Sequence, residues 1–203
     1  CLGFRRLVVL DPDGGKQPML AGDGETALVF TGEIYNFLEL RAELEQLGHL
    51  FLTRRSDTEV LLHAYLQWGE DMVERLSGMF AFVIYDERRS VLFCARDRFG
   101  KKPLFYSMGS QQFVFASEAT ALFEHPAVSM RVSERGLRRY FSLGCIPAPD
   151  SLYEGVSKLP PGHVLSLSLQ TMRADIRPYW TFRIRADAAP AGTPRDWADQ
   201  TRH

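Results

Sequence analysis

The sequence predicts an α+β fold built from antiparallel hairpins and separate helices. Two pairs of apolar runs rich in β-branched and aromatic residues flank three-residue turns at 87–89 and 108–110, the pattern of a β-hairpin. Ahead of them, segments 36–49 and 56–70 carry apolar residues at helical spacing. We therefore expect mainly antiparallel sheets with helices packed against them.

The N-terminal part is predicted to contain three strands and the two helices. The runs FRRLVVLD and ETALVFTGE read as strands, and the shorter FLTRR reads as a third between the helices. Asn36 is expected to cap the first helix, and Gly48 to end it. Ser56 and Glu59 form an S-x-x-E capping box that predicts the start of the second helix.

The C-terminal part is predicted to return from helices to a strand and then to lose regular structure. SEATALFEH and SERGLRRYFSL are predicted helices, followed by a proline-rich loop that leads into the strand-like run HVLSLSL. Beyond RPYWTF the composition turns to Ala, Pro, Gly, Asp and Arg, which is typical of a linker. The final TPRDWADQTRH resembles the start of a further helix.

Composition argues against large charged or apolar partners. The 24 basic and 25 acidic residues give a formal charge of −1 without a dense run of either sign, so neither nucleic acid nor a membrane is an expected partner. The absence of a bilayer-length apolar run and of a signal-peptide pattern predicts a cytoplasmic protein. Three cysteines without C-x-x-C spacing and five scattered histidines predict no metal site.

Seven segments, taken in order, resemble the class II glutamine amidotransferase domain of asparagine synthetases. They cover most of residues 3–180: FRRLVVLD, GEIYNFLELRAEL, SDTEVLLHAY, LSGMFAFVIYD, ARDRFGKKPLFY, FASEATALFEHP and KLPPGHVL. The resemblance implies a four-layer αββα sandwich of the N-terminal-nucleophile hydrolase type, here expected to lack its first strand. It also implies an amidotransferase domain over 1–180, followed over 181–203 by a linker and the start of a synthetase domain.

The implied activity is that of the glutaminase half of an asparagine-synthetase-like enzyme. Glutamine would be hydrolysed to supply ammonia for the ATP-dependent amidation of aspartate or a related acceptor. The pyrophosphate-binding motif S-G-G-x-D-S of the family's synthetase domain does not occur in the sequence. ATP and magnesium are therefore assigned to that further domain and no cofactor to this chain. The expected partners are glutamine and the synthetase domain, and a homodimer is left open.

Cys1 raises the question of the nucleophile, because an N-terminal cysteine can use its own α-amino group as the base. In the family the nucleophilic cysteine lies in a segment resembling M-C-G-I, upstream of the block to which LGFRRLVVLD corresponds. The expectation is that the chain is truncated at its N-terminus, that the family nucleophile is absent, and that the chain as given is inactive. The alternative is that Cys1 is a relocated nucleophile of a different amidase.

By resemblance, the predicted strand FRRLVVLD supplies several of the glutamine-binding residues. Arg6 would pair with the substrate α-carboxylate, a task that suits a planar bidentate donor. The main chain of the four residues after it would add contacts: Leu7, Val8, Val9 and Leu10. The pattern alone favours a solvated strand residue at Arg6, and only the resemblance favours the binding role.

Two other segments carry the remaining site residues that the resemblance implies. Asp57 would receive the α-ammonium group, although it also stands at a helix start, where a carboxylate is favoured without any ligand. The tripeptide Thr31-Gly32-Glu33 corresponds to an N-G-E motif whose asparagine amide and glycine N–H form the oxyanion hole. Thr31 supplies at most one short donor in place of that amide. Glu33 would contact glutamine.

Two non-catalytic interpretations stand beside these. A missing nucleophile together with Thr31 would also suit a degenerate amidotransferase-like module retained for binding. The charged trio Arg96-Asp97-Arg98 is predicted to form a structural ion-pair and turn network, because the resemblance assigns no chemistry to it.

Overall fold

The computed structural model describes residues 1–4 and 15–183. The predicted first strand, FRRLVVLD, and the predicted terminal helix, TPRDWADQTRH, lie mostly or wholly outside those ranges. The described elements comprise strands, four-turn or shorter helices and one 3₁₀ turn. In chain order they are β1 (Met19–Leu20), β2 (Thr26–Ile34), α1 (Phe37–Gln46), α2 (Asp57–Trp68), the 3₁₀ turn Gly69–Asp71, α3 (Met72–Arg75), β3 (Gly78–Asp86), β4 (Val91–Arg96), β5 (Phe105–Met108), β6 (Phe113–Ala116), α4 (Ala119–Leu122), α5 (Glu134–Leu143), β7 (Val156–Lys158), β8 (His163–Ser168) and β9 (Arg173–Pro178).

The strands of the described residues form two antiparallel sheets. In that part of the chain the first sheet has six strands in the order β1-β2-β3-β4-β8-β9, and the second has three in the order β6-β5-β7. Both predicted hairpins are confirmed, as β3 pairs with β4 and β5 with β6. The long β2–β3 ladder places Phe30 opposite Phe82 and Gly32 opposite Phe80.

Alternation along the strands separates two apolar layers. On β2, Leu28 and Phe30 point into the core shared with α1 and α2, whereas Val29 points into the core between the sheets. A third cluster on the far side of the second sheet joins α4 to β5, β6 and β7 through residues such as Leu122 and Val156. The order is therefore helix, sheet, sheet, helix, which confirms the predicted αββα sandwich.

The predicted strand FLTRR is wrong. Residues 51–55 form a loop whose main-chain amides serve a buried carboxylate: Leu52 N donates to Glu59 Oε1 at 2.6 Å and Thr53 N to Glu59 Oε2 at 2.8 Å. Half of the predicted capping box is present, since Ser56 Oγ accepts from Glu59 N at 3.3 Å. The glutamate does not reach back to Ser56 because the loop takes up its oxygens.

The prediction that the Asn36 side chain caps α1 is also wrong. Asn36 precedes α1, but no hydrogen bond from its side chain caps that helix. Its amide instead joins a distant turn, donating to Arg75 O at 3.0 Å and accepting from Ser77 N at 2.9 Å. The side chain therefore anchors the start of α1 to the entry of β3.

The turn after β4 is a hydrogen-bond network around one buried carboxylate. Asp97 is 1% exposed and accepts from the amides of Phe99, Lys101 and Lys102. The Arg96 guanidinium binds three main-chain carbonyls, those of Gly100, Lys102 and Leu159. The predicted turn network is confirmed, but among the described residues neither Arg96 nor Arg98 forms an ion pair with Asp97.

Candidate active site

A cavity of about 840 Å³ opens between the two sheets and reaches the start of α2. Its wall on the first sheet includes Thr31, Gly32 and Glu33 of β2, and its helical wall is Asp57 and Thr58. The second sheet contributes the end of β6 and the two residues after it, Ser117 and Glu118. The structure thus brings together four of the predicted site residues: Thr31, Gly32, Glu33 and Asp57.

The outer edge of β2 carries main-chain donors that face away from β3. Gln17 fills one position, since Phe30 N donates to its Oε1 at 2.6 Å and its Nε2 donates to Phe30 O at 2.9 Å. Four residues further on, Ile34 N donates to Asp57 Oδ2 at 3.2 Å. Because N–H groups of alternate residues point to the same edge, the Gly32 N–H lies between these two.

The β3 partner confirms the direction of the Gly32 N–H. Phe80 lies opposite Gly32 and directs its N–H and C=O away from β2. Its N–H donates to Asp97 Oδ2 at 3.3 Å, and its C=O accepts from Asp97 N at 2.8 Å. The Gly32–Phe80 pair is therefore a non-hydrogen-bonded pair of the ladder. The Gly32 amide is left to face the cavity edge.

Gly32 cannot be replaced there by a residue with a side chain without a clash. Its φ of 135° lies in a region that L-residues rarely adopt. A Cβ atom would also stand 2.0 Å from Met79 O, which is main chain and unable to rotate away. The glycine therefore allows β2 to approach β3 closely while its amide points outward.

Thr31 and Glu33 share one face of β2. Val29 belongs to the core between the sheets, and alternation puts the side chains of Thr31 and Glu33 on that same side. Both are half-buried and line the cavity. The Thr31 hydroxyl and the Glu33 carboxylate therefore flank the Gly32 amide along one wall.

Asp57 is a buried carboxylate at the first residue of α2 and is 6% exposed. Burial raises the pKa of its carboxyl above the usual value, and the nearby Glu33 adds to that rise. Main-chain hydrogen bonds, above all that from Ile34, act in the opposite direction on the pKa. A cation placed beside Asp57 and Glu33 would relieve this burial of negative charge.

The charges of the described lining favour a cationic group. Three carboxylates, those of Glu33, Asp57 and Glu118, face one ammonium, that of Lys102. The arrangement suits the α-ammonium end of an amino acid, and the amide edge of β2 suits a developing oxyanion.

The other predicted residues fall outside this description. Arg6, Leu7, Val8, Val9 and Leu10 lie within 5–14, which are outside the described residues. Cys1 is exposed, and Gly3 and Phe4 near it line the cavity. Their proposed roles stay predictions.

Gln17, Lys102, Ser117 and Glu118 were missed by sequence reasoning. Each enters the cavity from an element distant in sequence, and none carries a local pattern that would single it out. The position of Lys102 depends on the Asp97 turn network, because Lys102 N donates to Asp97 Oδ2 at 2.9 Å.

Within residues 1–4 and 15–183 no cluster of three or more His, Cys, Asp or Glu residues could hold a metal ion. Nor does any helix in those ranges have the length and apolar character needed to cross a membrane.

Sequence relatives share most of this chain. It is 44% identical over 182 residues to asparagine synthetase [glutamine-hydrolyzing] 3 of Bacillus subtilis, which covers 88% of the chain and 29% of that relative. It is 39% identical over 194 residues to asparagine synthetase 1 of the same organism, with 96% and 30% covered. A putative asparagine synthetase of Mycobacterium tuberculosis is 38% identical over 192 residues, with 91% and 29% covered. The chain thus spans about 30% of the length of these relatives.

Solved structures share the fold. The glutamine phosphoribosylpyrophosphate amidotransferase of B. subtilis, complexed with ADP and GMP, gives a TM-score of 0.52 at 24% identity, covering 78% of this chain and 31% of that one. An allosteric regulatory enzyme of purine biosynthesis gives 0.54 at 25% identity, covering 80% and 31%. The profile of the glutamine amidotransferase domain family matches residues 1–180. The chain therefore belongs to the glutamine amidotransferase domain family, and its sequence relatives are glutamine-hydrolysing asparagine synthetases.

Proposed function

We propose that this domain binds L-glutamine in the cavity and is the glutaminase half of an asparagine-synthetase-like enzyme. The ammonia it releases would serve the ATP-dependent amidation of aspartate or a related acceptor. The proposal rests on the hydrogen bond from the Ile34 N–H to the buried carboxylate of Asp57, together with the β2–β3 register, which directs the Gly32 N–H to the same strand edge two residues earlier. One edge of β2 therefore presents a donor for the amide oxygen of glutamine and also holds the carboxylate that would accept from its ammonium group.

The chemistry assigns a separate task to each group. The attacking group is a cysteine thiolate, which the resemblance assigns to the family's M-C-G-I-like segment and which none of the described lining residues supplies. It adds to the side-chain amide carbon of glutamine, and the carbonyl oxygen becomes an oxyanion that the Gly32 N–H stabilises. The intermediate collapses with protonation and departure of ammonia, and water then cleaves the thioester to give glutamate. Asp57 and Glu33 hold the α-ammonium group throughout, and Arg6 is the proposed partner of the α-carboxylate.

Thr31 is the proposed second donor to the oxyanion. Its hydroxyl lies on the cavity wall next to Gly32, but it is shorter than an asparagine amide and donates one hydrogen bond at most. Loss of one side-chain donor from an oxyanion hole costs on the order of 100-fold to 1000-fold in rate. A slow glutaminase is therefore expected of a version that has the family nucleophile, whereas the chain as given is expected to be inactive.

The test has two arms, binding and turnover. Calorimetric titration of the 203-residue chain with L-glutamine should give saturable binding that Asp57→Asn weakens and that the exposed control Asp175→Asn leaves unchanged. Ammonia release should be measured in the same samples. Lack of binding by well-folded chain, or equal binding of L-glutamine and D-glutamine, would refute the proposal.

A second candidate function is a binding module without turnover. None of the three cysteines is among the described residues that line the cavity: Cys94 is buried between the sheets and Cys145 lies at a different pocket. Glutamine binding with no ammonia release above a heat-inactivated control would support this candidate. Turnover of roughly 1 per second or more would exclude it. If that turnover disappeared in Cys1→Ala, Cys1 would be the nucleophile.

A further inference from the structure

We propose that a second cavity of this domain binds a small monocarboxylate with an apolar body, an acid of about ten non-hydrogen atoms. This Lys158 cavity is lined by residues of β5, α4, α5 and the loop that follows α5, together with Lys158 at the end of β7. No described residue lines both this cavity and the one proposed for L-glutamine. The inference therefore adds a ligand to the domain and does not depend on the glutaminase proposal.

The wall of the Lys158 cavity is mainly apolar. Its volume is about 290 Å³. Since a group the size of a water molecule occupies about 30 Å³, the cavity has room for about ten such groups. The apolar side chains of the lining are Phe105, Ala119, Tyr140, Ile146, Leu152 and Tyr153. A compact apolar body such as a phenyl ring would be removed from water here and would contact other aromatic rings.

Lys158 is the one charged side chain in the described lining of this cavity. Its Nζ donates to Ile146 O at 2.7 Å and lies 5.8 Å from the centroid of the Phe105 ring. Among the residues that the structure describes, none places a carboxylate within 4.0 Å of this ammonium group. Because an ammonium group has three N–H donors, Lys158 keeps donors for a ligand.

The charges around Lys158 favour an anion. The carboxylate of Asp150 is already bound by two guanidinium groups, since its Oδ2 lies 3.1 Å from Arg135 Nε and 2.8 Å from Arg139 Nε. Burial lowers the pKa of Lys158, and the nearby Arg96 adds to that fall, whereas Asp150 opposes it. A carboxylate beside the ammonium group would relieve this burial of positive charge.

The small number of polar groups selects a monocarboxylate over a phosphate. Ser151 also lines the cavity, but its hydroxyl is used within its own loop, donating to Tyr153 O at 3.0 Å and accepting from Tyr153 N at 3.0 Å. A phosphate monoester carries up to two charges and three acceptor oxygens, which one ammonium group in an apolar wall would leave largely unsatisfied. A carboxylate has one charge that Lys158 can match.

The test uses phenylacetate, which has a phenyl ring, one carboxylate and the expected size. It is titrated, with detection by nuclear magnetic resonance, into the 203-residue chain, into Lys158→Met and into Lys101→Met. Lys101 is exposed and lines neither cavity, so it is the matched control. We expect a dissociation constant of about 0.1–1 mM for the unmodified chain and the control, weakened about tenfold or more in Lys158→Met. Phenylacetamide, which keeps the shape but not the charge, should bind the unmodified chain about tenfold more weakly or not at all.

Cysteine labelling locates the ligand without any substitution. Cys145 lines the Lys158 cavity and is exposed, Cys1 is exposed away from its described lining, and Cys94 is buried. Saturating phenylacetate should therefore slow the alkylation of Cys145 by iodoacetamide about threefold or more and leave that of Cys1 unchanged. The buried thiol of Cys94 should not react in the folded chain.

The opposite results would overturn the proposal. They are absence of saturable binding, equal affinity for the acid and the amide, equal weakening by both lysine substitutions, or no protection of Cys145. Displacement of phenylacetate by L-glutamine would place the acid in the other cavity and would also overturn it. If Lys158→Met does not melt cooperatively, the comparison of acid with amide and the labelling of Cys145 in the unmodified chain decide. L-Glutamine affinity should be unchanged in Lys158→Met, so failure of this site is distinguishable from failure of the glutaminase proposal.

Discussion

The first turn of α2 carries two buried carboxylates, Glu59 and Asp57, on opposite sides, and their surroundings differ. Glu59 is 5% exposed, and the amides of Leu52 and Thr53 and the Thr53 hydroxyl all donate to its oxygens. Asp57, 6% exposed, receives the Ile34 amide at 3.2 Å and otherwise faces the cavity. Nearly equal burial thus produces a structural acid on one side and an acid with room for a ligand on the other.

The difference shows why burial alone does not identify a functional acid. A carboxylate whose oxygens are already filled by local donors stabilises a loop, and a ligand has nothing to add. A buried carboxylate that lines a cavity and has a raised pKa, as Asp57 does, gains when a cation arrives.

Glu59→Ala should produce the largest effect, on stability. It would leave three donors in the 51–53 loop without their acceptor, so we expect the free energy of unfolding to fall by about 3 kcal/mol. Chemical denaturation of both proteins measures the change. Glutamine affinity per folded molecule should stay the same. A loss of affinity without loss of stability would show that Glu59, like Asp57, acts in binding.

Asp57→Asn should act on binding instead of stability. The neutral amide keeps an oxygen for the Ile34 amide but loses the charge that pairs with an α-ammonium group, so we expect L-glutamine affinity to fall about 30-fold to 100-fold. The melting temperature should be unchanged or slightly higher, because a buried charge is removed. A lower melting temperature with unchanged affinity would make Asp57 a purely structural residue.

Acidification should reproduce part of that loss in the unmodified chain. Because burial raises the pKa of Asp57, the folded chain binds this proton more readily than the unfolded chain, and protonation of Asp57 itself favours folding as the pH falls. The ligand's ammonium needs the charged form, so affinity should fall by about tenfold per pH unit below that pKa. Titrations across the acidic range should give a clearly smaller decline for Asp57→Asn than for the unmodified chain, and an equal decline in both proteins would assign the effect to another group.

Thr31→Asn should have the smallest effect on glutamine binding, a change of less than about threefold. The longer amide would act mainly on the charged intermediate and little on the bound ground state. If the chain turns over glutamine, the rate constant should rise more than the affinity changes, and parallel kinetic and calorimetric measurements separate the two. An unchanged or lower rate would mean that the threonine already supplies the donor.

Local pattern was sufficient where an element is decided by its own residues. Alternation and turn chemistry predicted both hairpins, and Ser56 with Glu59 predicted the start of α2, because burial of one strand face and satisfaction of helix amides are short-range requirements. The family resemblance added the four layers and pointed to residues 31–33 and Asp57. Those residues do meet in one cavity, although their roles in binding and turnover remain predictions.

What the sequence by itself determined is therefore the set of elements and the groups available for chemistry. The tertiary structure alone decided how those groups are used. Asp57 binds the edge of β2 at Ile34, 23 residues away in sequence, and Gln17 binds the main chain of Phe30, 13 residues away. The Glu59 side chain accepts from the 51–53 loop instead of capping its own helix. Such contacts depend on which main-chain donors lie close to the side chain once the sheets have packed. Hydrophobic periodicity does not predict these distances. Only after the β2–β3 register fixes the direction of each amide does the Gly32 N–H become a cavity donor and Asp57 become the acid with an open side.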